Sequence, residues 1–350
     1  MSPSILPLVH EPKKVLITGG CGFIGSNFIN FIFGKWPEAT FVNFDKLATG
    51  ASPEFIDEGI RSSERYSFVF GNLVDQPAVL KVLKDNEIDT VIHFAAITHV
   101  DESYDDRIGT IQENIIATTT LLEAVNAAKT IKRFVHISTD EVYGDSGEDE
   151  PPKTELSLPN PTNPYAASKA ACEFVLRSYY HSYKVQYVMV RMNNVYGPRQ
   201  AGSKLIPKFT KLALEGKPYP LMGDGKHTRS WMFVNDCAEA IRRVTESGRT
   251  AEIYNIGTQF EMCNIDLTKL IHAKVADALG RDQTAPQFTP IPDRPYHDRR
   301  YHIDFSKIGD ELNWGCVIPF EDGLTETINY YVDAYRAEAK NGALNSRRVG

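Results

Sequence analysis

The chain has 350 residues, 42% of them hydrophobic and 24% charged, which suits one large globular domain or two closely joined ones and excludes a small module, a fibre or a disordered polypeptide. With 38 Lys and Arg against 45 Asp and Glu the formal net charge is -7, and the basic pairs Lys13-Lys14, Lys132-Arg133 and Arg242-Arg243 are scattered, so nucleic acid is excluded as a partner. Five cysteines without a Cys-x-x-Cys pair indicate no disulfide framework and no metal site, and with no long apolar run and no signal pattern a soluble, cytoplasmic protein free of membrane contact is expected.

In chain order, β-branched or aromatic runs at 15–18, 41–45, 67–70, 90–95, 134–138 and 187–191 alternate with helix-like stretches, and 252–257 reads as one more strand. This is the pattern of repeated βαβ units: an α/β class with a doubly wound, Rossmann-like parallel sheet. Several runs are apolar throughout, as strands buried on both faces are. Residues 145–164, with five prolines, predict a surface loop. We expect a dinucleotide-binding domain over 13–192, to which 232–257 returns, a smaller mixed α/β substrate lobe over 193–231 and 258–338, and flexible ends at 1–12 and 339–350.

Directly after the first run come Gly19, Gly22 and Gly25, three apart and leading into a helical pattern. Glycines there permit a tight turn, close approach of backbone to a pyrophosphate and close packing of helix on strand, with the phosphate at the helix N-terminus. Asp45 follows Gly25 by 20 residues, at the end of the second strand. A carboxylate there accepts ribose hydroxyls and repels a 2′-phosphate, favouring NAD over NADP, while the adjacent Lys46 weakens that preference. The other reading of Asp45 is a solvated strand-end acid that opens a turn.

The fifth strand runs into Ser138-Thr139-Asp140-Glu141, and the C-terminal ends of such strands are where ligands bind. Two adjacent buried carboxylates repel, which leaves one protonated acid beside one ionised base. Successive strand residues point to opposite faces, so the backbone must turn for both to serve one substrate. An acidic loop in solvent is the alternative. Tyr165 and Lys169 lie four apart at the start of a helix and share a face. An ammonium near the phenol, joined by a positive nicotinamide ring, favours a phenolate able to take a hydroxyl proton at neutral pH.

These motifs together resemble the extended short-chain dehydrogenase/reductase superfamily: TGxxGxxG ending at Gly25, HFAA at His93 to Ala96 and YxxxK at Tyr165 to Lys169. Within it the chain is similar to the dTDP-glucose and UDP-glucose 4,6-dehydratases, most sharply in STDEVYG at Ser138 to Gly144. The resemblance implies an NAD-dependent hydro-lyase, probing a nucleoside-diphosphate-glucose substrate and working as a homodimer through helices near 112–128 and 165–182. Tyr165, with Lys169 beside it, would deprotonate the C4 hydroxyl, Thr139 steady the sugar, Glu141 remove the C5 proton and Asp140 protonate the departing C6 hydroxyl, giving a 4-keto-6-deoxy sugar for rhamnose-type synthesis.

The same resemblance adds Phe23, Ile24, Leu73, Phe94, Ala95 and Ala96 to the cofactor site. It adds Thr98, His99, Asn194, Lys204, Leu205, Asn255 and Tyr301 to the substrate site, with Arg229 and Arg294 as pyrophosphate ligands suited by their bidentate geometry. Asn72 stands where the family usually has an aspartate that contacts adenine, and Ile97 replaces a polar residue. A 4-epimerase on the same fold, with Asp140 and Glu141 turned away, and an NAD-sensing pseudoenzyme are the competing readings. The nucleotide stays open between dTDP and UDP.

Overall fold

The protein, described here from a computed structural model, is described over residues 5–98, 100–147 and 149–348. Its main sheet comprises β1 (Lys14–Thr18), β2 (Thr40–Asp45), β3 (Tyr66–Phe70), β4 (Thr90–His93), β5 (Arg133–Thr139), β6 (Tyr187–Met192) and a seventh strand, Ile253–Ile256. The seventh strand leads the spatial order, followed by β6, β5, β4, β1, β2 and β3, with every neighbour parallel. Since β1 pairs on one side with β2 and on the other with β4, the winding reverses there and opens a crevice at the strands' C-terminal ends.

All residues of β5 and β6 are buried, as strands covered by helices on both faces are. One core face, holding Leu16, Val42, Leu121, Phe134 and Leu176, lies wholly within the sheet domain. The other begins with Val15, Ile17 and Phe28 and runs without interruption through Trp231, Phe233 and Ile271 to Val332. The C-terminal segments therefore share the sheet's core, and their position over the crevice is fixed by burial rather than by a hinge.

The observed elements refine the sequence reading at three places. The fourth strand stops at His93, because the left-handed turn at Gly19 (φ +71°) brings its backbone so close to Ala95 that a Cβ would sit 2.7 Å from the Ala95 nitrogen. The helix expected near 112–128 is present as α-helix Ala117–Ala128, entered through a wide π-turn, Gln112–Ile116, that follows Arg107–Ile111, a feature that often marks functional sites. At the ends, Leu6 and Val9 bond to the carbonyls of Glu311 and Glu246, and the last helix is Phe320–Arg348.

The turn after β1 admits little extra volume: a Cβ on Gly25 would lie 2.4 Å from the Gly19 carbonyl oxygen. Gly25→Ala therefore costs about 1–3 kcal/mol of stability by overpacking, seen as a lower urea midpoint at unchanged m-value.

Candidate active site

The glycine turn ends at Gly22, which caps helix Phe23–Ile32 without any side-chain bond, so the helix's first N–H groups face the crevice and can receive an anion. Asp45 is buried, and its carboxylate accepts from the backbone N–H of Cys21 at 2.9 Å and of Leu47 at 2.8 Å. These bonds fix it against the turn and leave each oxygen further acceptor capacity, which the reading of a solvated strand-end acid does not predict. Lys46 forms an ion pair with Glu113. Asn72 accepts from the N–H of Val74 at 3.2 Å, and Leu73 is buried beside it. Phe23, Ile24, Phe94, Ala95 and Ala96 are all half-buried around the turn.

At the end of β5 the backbone leaves the strand as the sequence demanded, with Thr139 opening a 3₁₀ turn over Asp140–Tyr143. The Thr139 hydroxyl accepts from the N–H of Glu141 at 3.3 Å and lies 3.3 Å from Asp140 Oδ1. Beneath the turn, Glu173 accepts from Ser138 at 2.6 Å and grips Arg191 at 3.0 and 2.5 Å. That buried pair anchors the segment from behind.

Asp140 is 2% exposed and receives a bond from Asn193 Nδ2 at 2.7 Å. Burial above all pushes its pKa up to about 7, and the charge of Glu141 adds to the rise. Desolvation thus dominates where the sequence suggested mutual repulsion, yet the outcome is the same: an acid that carries its proton near neutrality. Glu141 is only partly buried, accepting from Asn163 Nδ2 at 3.1 Å with Tyr301 Oη 3.3 Å away.

Helix Pro164–Tyr183 carries Tyr165 and Lys169 on its buried face. Its cap, Asn163, accepts from the N–H of Ala166 at 2.8 Å while its amide holds Glu141. Lys169 donates to the carbonyl of Ile137 at 2.7 Å, and burial lowers its pKa. Burial raises the Tyr165 phenol, with Glu141 and then Asp140 adding to the rise against the Thr139 hydroxyl. In the protein alone, burial and the charge of Glu141 thus hold the phenol above its ordinary range, while the expected phenolate concerns the state in which a positive nicotinamide ring lies beside it.

The remaining substrate candidates divide. Tyr301 donates to Asp298 at 2.6 Å and lies under the Arg229 guanidinium, 4.6 Å from its ring centre. Arg229 is itself buried and donates to the carbonyls of Thr228, Arg299 and Asp298, so much of its fork is already committed. Arg294 is held in a two-point pair with Asp101 at 2.7 and 3.3 Å. Lys204 reaches the Thr98 carbonyl at 2.9 Å, with Leu205 opening the helix that follows. Asn194 is half-buried. Asn255 is fully buried, its amide spent on Tyr143, Lys153 and Asp304; it braces the site and is withdrawn from the crevice. His99 lies outside the described residues.

The sequence reading missed Asn193, Asn163 and Asp298. A signal existed for Asn163, since Asn before Pro marks a helix start. Asn193 had none, because its partner is 53 residues away. Gly257 exists for Asn193: a Cβ there would lie 2.1 Å from Asn193 Oδ1.

A doubly wound sheet with a glycine turn at its switch point, two carboxyl groups at the end of β5 and Tyr165 over them defines an enzyme of the extended short-chain dehydrogenase/reductase class. The model of one family, GDP-mannose 4,6 dehydratase, matches residues 16–327, and the chain belongs to that family. It is 39% identical over 92% of its length to a trifunctional UDP-glucose 4,6-dehydratase, 3,5-epimerase and reductase of Arabidopsis thaliana, spanning about half (47%) of that relative. A dTDP-glucose 4,6-dehydratase of Xanthomonas campestris is 38% identical over 96% of this chain and 98% of its own. The crystal structure of the dTDP-glucose 4,6-dehydratase DesIV from Streptomyces venezuelae, with NAD and TYD bound, has a TM-score of 0.83 at 36% identity, covering 91% of this chain and 97% of that one.

Asp140 sets a sign for pH dependence. Its folded pKa of about 7 lies above the ordinary 3.8, so its contribution to stability is full below the ordinary value and is lost as pH rises through the folded one. At about 1.4 kcal/mol per unit, Asp140→Asn gains on the wild type by up to about 4 kcal/mol between pH 3.5 and pH 8, measured by urea unfolding at both values.

Proposed function

We propose that the protein is an NAD-dependent nucleotide-sugar 4,6-dehydratase that converts dTDP-glucose to dTDP-4-keto-6-deoxyglucose. The observation that carries this reading is the pairing of a buried Asp140, protonated near neutrality, with a more exposed Glu141 beside Tyr165. An oxidoreductase or 4-epimerase needs one proton acceptor at the reacting hydroxyl; elimination of water needs a base and an acid besides. The same trio argues against an NAD-sensing pseudoenzyme.

The residues fit the cofactor: a helix N-terminus free of side-chain caps, a glycine turn without room for a Cβ, and Asp45 fixed with acceptor capacity towards a ribose. Bound NAD supplies a hydride acceptor at C4, a hydride donor at C6 and, when oxidised, the positive charge that favours the Tyr165 phenolate. Tyr165 then accepts the C4 hydroxyl proton, within reach of the Thr139 hydroxyl that orients the sugar. The resulting 4-ketone acidifies the C5 proton. Glu141, aimed by Asn163, removes it, and Asp140 gives its proton to the C6 hydroxyl as water departs. Arg229 and Arg294 bear on the substrate's diphosphate, with Asn194 and Lys204 towards the nucleotide; 193–231 and 258–338 form this substrate lobe.

UDP-glucose is the second reading, favoured by the 39% identity to the plant enzyme named for it. Either product would enter deoxysugar synthesis of the rhamnose type. No helix among the described residues is long and apolar enough to cross a membrane, and the free cysteines accord with the cytoplasm. A homodimer joined through the helices of 107–128 and 164–183 would cover Ile108, Ile116 and Phe174, which are 72%, 49% and 57% exposed.

Incubation with dTDP-glucose and with UDP-glucose, followed by mass spectrometry, should show loss of one water from at least one of them; loss from neither overturns the assignment. Glu141→Gln should lower elimination by about 10²–10⁴-fold while hydride exchange at C4 persists. Ile116→Glu combined with Phe174→Glu should turn a dimer into a monomer by light scattering, and an unchanged mass rejects that interface.

A further inference from the structure

Lys46 occupies a position at odds with the preference of its neighbour. Asp45 ends β2, where the ribose of a dinucleotide is read, and a cation one residue further on is placed to receive a 2′-phosphate. A lysine there would offset the repulsion that Asp45 exerts on NADP. The structure shows what occupies that lysine: its ammonium is paired with the Glu113 carboxylate, reaching across from the π-turn Gln112–Ile116.

The pair is built on fixed backbone at both ends. On one side, both Asp45 oxygens are bonded to backbone N–H groups, and Leu47 takes a left-handed turn (φ +56°) immediately after Lys46. On the other, Asn114, next to Glu113, accepts from the N–H of Ile97 at 2.7 Å and donates to Ser168 at 2.8 Å. The wide turn is thus pinned to the active-site floor and to the Tyr165 helix. Lys46 and Glu113 side chains are 33% and 30% exposed, partly shielded from the salt that screens open surface pairs.

We propose that Glu113 is a positioning residue for cofactor choice: it holds Lys46 in an ion pair and adds its own negative charge, so that the site opposes a 2′-phosphorylated dinucleotide. The inference rests on the reading of Asp45 as the ribose ligand. Replacing Glu113 by its neutral isostere does two things at once. It frees an ammonium beside the ribose position, and it removes one of two carboxylates that repel phosphate.

The test is a titration of the full chain with NAD⁺ and with NADP⁺, followed by calorimetry. Glu113→Gln should raise NADP⁺ affinity relative to NAD⁺ by roughly tenfold, with the gain shrinking at high salt and shrinking again when Lys46→Gln is added. Retained NAD⁺ binding reports that the variant is folded, and Glu113→Ala should shift the ratio in the same direction. An unchanged ratio with NAD⁺ binding intact, or a gain that Lys46→Gln leaves undiminished, overturns the role of Glu113. If the wild-type chain binds neither dinucleotide, the cofactor reading beneath it fails instead.

Discussion

Burying the Asp140 carboxyl constrains most of what surrounds it. The group is almost wholly removed from solvent and, among the described residues, no cation is bonded to it; its bonds are from neutral groups, the Asn193 amide and the Thr139 hydroxyl, while Arg229 acts through its field. Ionising it there without a bonded counter-charge is costly. The low-cost state is the protonated one, which is why a short aspartate at a strand end holds its proton near neutral pH. Glu141, one residue on, is less buried because the chain turns between the two. A β5 extended by two residues would send one carboxyl into the core of the opposite face and separate the pair.

The turn is held from behind by residues distant in sequence. Glu173 and Arg191 clamp Ser138, Asn255 takes the hydroxyl of Tyr143, and Asp145 accepts from the N–H groups of Arg299 and Arg300. Through Asp298, the same C-terminal segment meets Thr162, Tyr301 and Arg229. The cleft is therefore a joint between the sheet and the chain after residue 290, and the continuous core fixes its two walls. Arginines that a sequence assigns to a phosphate arrive already bonded, Arg229 to carbonyls and Arg294 to Asp101. An anion at either must compete with those partners, so selectivity there is a difference between two bonded states.

The fold was legible because its signals are local. Buried parallel strands advertise themselves as apolar runs, glycines three apart mark the phosphate turn, and the break after Thr139 follows from asking where two adjacent carboxyls can point. The missed residues are those whose roles are long-range: Asn193 reads as one more polar residue after β6 until the fold brings it to Asp140, and Asn255 sits in a motif whose position in the sequence says nothing of how its amide is spent. Signs of interaction were harder than places. Asp140 and Glu141 were expected to set each other's protonation by repulsion, whereas desolvation proves the larger cause, and desolvation is a property of packing.

Tyr165 makes the same point in the opposite direction. Spacing places Lys169 one helical turn away and suggests a lowered phenol pKa, but the ammonium is bound to the Ile137 carbonyl, and burial with the charge of Glu141 raises the phenol instead. A phenol so placed is a poor base near neutral pH, and a positive charge brought close to it favours its ionised form. In the proposed mechanism, oxidation of the sugar would therefore be tied to the arrival of a cationic ring, while Asp140 is already protonated near neutrality without one. On the proposed roles, proton transfer to the leaving hydroxyl would draw on burial built into the chain, whereas proton removal from the C4 hydroxyl would depend on a cofactor held at the glycine turn and Asp45. The two halves of the chemistry have separate electrostatic origins, and substitutions around Asn193 should disturb the second step without touching the first.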